Sequence, residues 1–230
     1  MSDSLPRAGH VLEISTSRFE LALTRLSNRL FGRWLRHELY NCMVLRGSDA
    51  SAKINDACLV DDKKSLAGTR LDYEDLTRAA SDPELHLPGD FLRSFSYRTD
   101  LSIGIYSGHD LVAYAFFSRE PTPVAPGLTF SWKGNWIYVY KVFCRPAWRG
   151  RRLAAFCMRE GMRHLQSNEW IESSPIEGFV ALVHPWNTGS MRAFTRMGYQ
   201  TLGRFADVSL GNFRFAAKTT ADQFTLSATK

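Results

Sequence analysis

The stretch NWIYVYKVFC (Asn135 to Cys144), running straight into RPAWRGRRLA (Arg145 to Ala154), constrains the fold more than any other part of the chain. Its first half is dense in aromatic and β-branched residues, which predicts a strand. Residues 153 to 166 read as a helix, so the chain passes from strand to helix through a short basic turn holding Gly150. Six arginines and two glutamates fall between 145 and 170. The first amides of a helix have no intrahelical acceptor. Together with the helix dipole they make a site for phosphate. Gly150 lets the backbone come close to such a group, and Arg149, Arg151 and Arg152 add charge. A solvated basic helix start is the plain alternative.

The rest of the chain supplies the setting. HVLEIS (His10 to Ser15) reads as a short first strand. From Ser17 the period becomes helical, with Phe19, Leu23, Leu26, Leu30 and Trp34 on one stripe. Arg18, Arg25, Arg29, Arg33 and Arg36 run along its neighbour. That basic stripe is either the solvated face of a packed helix or a surface for a membrane or an acidic protein. Residues 47 to 100 predict short helices and loops. The period then changes to two: Leu101–Tyr106 and Leu111–Ser118, joined through Ser107-Gly108-His109-Asp110, predict a hairpin. A Pro-rich loop, EPTPVAPG, precedes the strand at 135 to 144. GFVALV (Gly178 to Val183) predicts a buried strand, Thr188 to Met197 a helix ended by Gly198, and 199 to 218 two further strands. This order implies one α+β domain around a mixed sheet flanked by helices.

The net charge of +6 is gathered in 18 to 36 and 145 to 163, whereas 53 to 100 hold seven basic and ten acidic residues. Two compact clusters suit a small anionic ligand and argue against nucleic acid, which calls for a broad basic face. No apolar run approaches the ~18 residues of a membrane span, and MSDSLPRAGH does not read as a secretory signal. Cys42, Cys58, Cys144 and Cys157 are scattered without metal-ligand spacing, so no metal is expected and reduced thiols in the cytoplasm are.

After GFVALV comes HPWNTGSMRAFTRMGY, with Asn187, Ser190, Gly198 and Tyr199 at offsets of zero, three, eleven and twelve. With Pro146-Ala147-Trp148-Arg149-Gly150-Arg151-Arg152-Leu153-Ala154, this pair of motifs resembles the GCN5-related N-acetyltransferase (GNAT) superfamily over about residues 98 to 218. The resemblance implies a mostly antiparallel sheet whose fourth and fifth strands splay apart. It implies acetyl-CoA or another acyl-CoA as co-substrate, held by Val142, Phe143 and Cys144, by the loop Arg149 to Ala154, and by Asn187 and Ser190. The amides of Val142 and Cys144 would face the oxyanion. Residues 1 to 97 would lie on the acceptor side, 98 to 218 would form the acyl-CoA core, and 219 to 230 a tail of the same domain.

Two positions depart from the family pattern. Arg152 stands where a second glycine is usual, and Phe194 where a tyrosine often serves as acid toward the leaving thiolate. Ser190 or water would then assist the thiolate, unless Ser190 is simply a helix-start residue. An alkyl ammonium with pKa near ~10 must lose a proton before it attacks a thioester, so a base is needed. His184, directly after the fifth strand, is the first candidate, although it can equally pack beside Pro185 and Trp186. Tyr138 and Tyr140, expected on one strand face with Val142, could hold a water chain or line the acceptor pocket. Glu177 is a third choice, and a thiol role for Cys144 is discounted.

The leading expectation is direct acyl transfer in a ternary complex to a small-molecule amine or amino acid, ahead of a protein N-terminus or lysine. An acidic acyl carrier protein as donor, an RNA-borne acceptor and a non-catalytic scaffold are the competing readings.

Overall fold

The computed structural model describes residues 35–54, 66–167, 175–210, 213–218 and 222–228. The expected strand at 10 to 15, the helical stripe from Phe19 to Trp34 and Cys58 lie outside them. The described chain opens on β1 (Leu35–Arg46), α1 (Gly47–Ile54), β2 (Ala67–Arg70), α2 (Tyr73–Ala79) and α3 (Gly89–Ser96). The hairpin β3 (Leu101–Ser107) and β4 (Asp110–Ser118) leads to β5 (Thr122–Ala125) and β6 (Leu128–Trp132). Then come β7 (Trp136–Cys144), α4 (Leu153–Ser167), β8 (Gly178–Val183) and α5 (Thr188–Arg196). The last strands are β9 (Gln200–Leu210), β10 (Phe213–Lys218) and β11 (Phe224–Ala228).

Eight strands form the main sheet in the order β10-β9-β1-β8-β7-β4-β3-β2, and β11-β6-β5 form a second. Every pairing is antiparallel except β7 with β8. This is the mixed, mostly antiparallel α+β architecture that the motifs imply. Both faces of the sheet are covered. One packs on α4, through Leu153, Met158, Met162 and Leu165. The other packs on α2 and α3, through Leu76, Leu92 and Phe95, and on the small sheet, through Phe130, Phe224 and Leu226. Hence β4 is buried from Leu111 to Ser118 and reads as a continuous apolar run.

Gly161 shows how closely α4 lies on the sheet. A Cβ there would come within 2.1 Å of the Phe117 ring, so the mid-helix glycine is kept for a close approach. Its backbone-entropy cost of roughly 1 kcal/mol is offset by burial of that ring.

Five features differ from the sequence reading. Arg36 lies in β1, so the helical arginine stripe does not extend to it. β1 itself carries no clean signal, because Arg36, His37, Glu38 and Arg46 frame a short apolar centre. Tertiary structure decides it: Met43 and Leu45 enter the core on the α4 side, Tyr40 and Cys42 the opposite core. β2 emerges from the stretch read as helix and loop, as a four-residue exposed edge strand. β5 falls inside the Pro-rich EPTPVAPG, where prolines are tolerated because β5 is the edge of the small sheet. The stretch 219 to 230 contains β11, paired with β6.

The fifth difference lies in β7. Tyr114 faces Phe143 while Phe116 faces Tyr140, so Lys141 and Val142 both oppose Ala115. Lys141 adopts φ 49°. Such a bulge re-aims the residues beyond it. Tyr138 and Tyr140 still share a face, with parallel rings 5.5 Å apart. Val142 does not join them, contrary to simple alternation: it packs against the α4-side core with Ile137 and Val139.

Candidate active site

β7 and β8 pair only at Trp136–Gly178, Ile137–Phe179 and Tyr138–Val180. Beyond Tyr138 they part, and a cleft of about 520 Å³ opens between their ends. Its β7 wall is Val142, Phe143 and Cys144, continued by Arg149, Gly150, Arg152, Leu153 and Ala154. Its other wall comes from the β8–α5 junction, with Trp186, Asn187 and Ser190. The two motifs, far apart in sequence, thus line one cavity. Among the described residues, Arg149, Arg152 and Arg196 line it and no carboxylate does.

The loop into α4 has the conformation that an anion site requires. Gly150 has φ 85° and Arg152 φ 60°, both left-handed. An L-residue pays about 1–2 kcal/mol for this backbone, which is the physical reason glycine is usual at the second position. Arg152 keeps the turn despite its side chain. The Phe156 amide donates to the Arg152 carbonyl, so the amides of Leu153, Ala154 and Ala155 have no intrahelical acceptor. Arg151 lies over the Trp148 ring at 4.6 Å and is not a wall of the cleft. Arg145, first of the basic run, is committed elsewhere. It pairs with Asp82 and, at 2.9 Å, with Glu84, and its Nε donates to the Leu111 carbonyl at 2.7 Å. That guanidinium holds the Asp82 carboxyl below the usual range.

Asn187 is the N-cap of α5: its Oδ1 accepts from the Ser190 amide at 3.1 Å. Phe194 is buried, edge-on to Tyr199 at 4.9 Å, and also lines the cleft, so no hydroxyl stands at that position. The Cys144 thiol donates to the Arg145 carbonyl, and burial pushes its pKa up. It is a thiol at neutral pH, not a nucleophile. Asn187→Ala removes the cap, worth roughly 1 kcal/mol. We expect the thermal midpoint to fall by roughly 2–4 °C and donor binding to weaken, with the shape of the pH–rate profile unchanged. A shifted acid limb in this variant would count against a purely positioning role.

The base candidates lie apart from the cleft walls. His184 Nδ1 is 3.0 Å from the Leu39 carbonyl of β1. A carbonyl only accepts, which assigns the proton to Nδ1 and leaves Nε2 as the basic nitrogen. The Glu38 carboxylate is 3.6 Å from the same nitrogen. The ring is held between Tyr40, at 4.5 Å, and Trp186, at 4.7 Å, and through Trp186 it adjoins the cleft. Tyr138 is buried in the core beneath the small sheet. Tyr140 donates to Asp100 Oδ2 at 2.5 Å, and Asp100 also accepts from Arg98 Nε at 2.7 Å. Burial first, then the neighbouring carboxylate, raises the Tyr140 pKa, so it remains a phenol. Glu177 accepts from the Asn135 amide and from Trp136 Nε1, both at 2.9 Å, at the end of β8 far from the splay.

Sequence reasoning missed Leu39 and Tyr40, because β1 itself was missed, and Arg196. The spacing of Arg192 and Arg196, one helical turn apart in α5, was the available signal for a basic face there.

The acetyltransferase (GNAT) family matches residues 69–199, more than half of the chain. No curated protein matches. Among solved structures, a GCN5-related N-acetyltransferase-like protein from Streptococcus suis is 13% identical with TM-score 0.52, over 82% of this chain and 68% of that one. A functionally unknown conserved protein from Staphylococcus epidermidis is 8% identical with TM-score 0.54, over 86% and 69%. A Drosophila protein is 18% identical with TM-score 0.52, over 84% of this chain, which spans 58% of the length of that one. At these identities the likeness is one of fold. Together with the match of the family over the segment that holds both motifs and the splay, it identifies the chain as a member of the acetyltransferase (GNAT) family of N-acetyltransferase enzymes.

Proposed function

We propose that the protein is an acyl-CoA-dependent N-acyltransferase that moves an acyl group, most simply acetyl, to a small-molecule amine by direct transfer in a ternary complex. One observation carries the reading: the splay of β7 from β8 opens into a cleft that, among the described residues, holds three arginines, no carboxylate, and the N-terminus of α4. The chemistry fits the ligand. A pyrophosphate needs amide donors and positive charge, which Gly150 to Ala154, Arg149, Arg152 and Arg196 supply. An apolar thioester arm needs a slot between strands, with Val142 and Phe143 on one side and Ala193 and Phe194 on the other.

In this mechanism the backbone amides of Val142 and Cys144 stabilise the oxyanion. His184 Nε2, directly or through water, takes the proton from the acceptor nitrogen. The nitrogen bonds to the acyl carbon, the carbon–sulfur bond breaks, and the thiolate leaves with its electron pair. Ser190 or water protonates it. Calorimetry with CoA and acetyl-CoA tests the donor assignment. We expect saturable binding, and acetyl-CoA at about a hundred times its Kd should add about 2.7 kcal/mol of stability. Absence of affinity for any acyl-CoA would overturn the reading in favour of a scaffold domain.

A further inference from the structure

Lys141 sits in the bulge of β7, one residue before the first strand residue that lines the cleft. Its left-handed backbone sends the side chain to the face opposite α4, where Nζ stands 4.4 Å over the ring of Phe91 in α3. That ring is edge-on to Phe116 at 5.0 Å and lies 6.4 Å from Tyr140. The side chain is half-buried, and desolvation lowers the pKa of the ammonium, opposed by Asp90. Among the described residues the ammonium has an aromatic face beside it but no hydrogen-bond acceptor within reach and no ion pair. An ammonium has three donors, and among the described residues these meet no protein acceptor but reach solvent. An anionic group on a ligand can bind them in place of water.

The position says which ligand. Tyr140, Lys141 and Val142 are consecutive. The ammonium therefore stands one residue from a wall of the cleft, on the α3 face of the strand and away from the loop into α4. A cation there also disfavours the protonated form of a nearby amine, which helps an acceptor attack as the free base. Resting on the donor reading above, we propose that Lys141 is a specificity-determining residue that binds the carboxylate of an amino-acid-type acceptor, with Phe91 and Tyr140 flanking it.

Matched acceptor pairs test this: free amino acids, each against the amine left by removing its carboxylate, with acetyl-CoA as donor and free thiol as readout. The wild type should prefer the carboxylated member. Lys141→Met should lower the ratio of kcat/KM within a pair about tenfold, through KM, as expected for one lost charge-assisted hydrogen bond. Lys141→Arg keeps the charge but cannot act as a base near neutral pH, and should restore most of the ratio. Equal use of both members, no turnover of any carboxylated amine, or an unchanged ratio in Lys141→Met would overturn the proposal. So would equal loss of kcat on both members in Met and Arg variants alike, which would mark Lys141 as a base. Acetyl-CoA calorimetry on the same proteins separates the two levels. Intact affinity without carboxylate preference sinks the Lys141 assignment alone, whereas no affinity in the wild type sinks both.

Discussion

His184→Gln should lower turnover at neutral pH at least about a hundredfold, the usual contribution of a positioned base. Glutamine keeps size and hydrogen bonding, so it can still donate to the Leu39 carbonyl that His184 Nδ1 now meets at 3.0 Å. It has no basic nitrogen to replace Nε2. The sign of the pH dependence follows from the chemistry. Protonation of a basic imidazole removes activity on the acid side, so the wild-type acid limb should be lost in the variant. The variant's rate should then climb as pH rises and the acceptor amine deprotonates unaided. Steady-state profiles over the same pH range check both points. Near-normal turnover with an intact acid limb would make His184 a structural residue, held by Tyr40, Trp186 and β1.

Gly150→Val should raise the KM for acyl-CoA at least about tenfold, equivalent to about 1.4 kcal/mol, while leaving the protein folded. A Cβ at Gly150 meets nothing within 4 Å, so the protein offers no clash. The penalty arises instead from φ 85°, where a β-branched residue is a strained outlier, and from an isopropyl group in the open space before the loop. Donor kinetics, with the thermal midpoint as a folding control, decide it. Unchanged donor KM in the folded variant would refute the assignment of this loop to the pyrophosphate.

The elements legible in the sequence were those whose signal is local. β7 announced itself by aromatic and β-branched density, β3 by period two, β4 by a continuous apolar run after a glycine turn, and α4 by the basic strand-to-helix passage. α5 carried its own punctuation: Asn187 as cap and Gly198, with φ 88°, as terminator. The loop and junction residues followed from the same motifs, because capping and left-handed turns are short-range requirements.

What depends on distant partners was not legible. β1 is a strand because β8 and β9 receive it on both edges and cores bury both its faces. No alternation in LRHELYNCMVLR shows that. The bulge at Lys141 is a register event between β4 and β7, so sequence periodicity continued through it and put Val142 on the wrong face. The surroundings of His184 come from β1, about 145 residues earlier in the chain. By itself the sequence determined the fold class, and through its turn chemistry and the resemblance that its two motifs carry it placed most, not all, of the residues that line the cleft. The place of β1, the aim of β7 beyond Tyr140 and the company of His184 and Lys141 were decided by tertiary structure, because burial and register are set by partners that the neighbouring sequence does not contain.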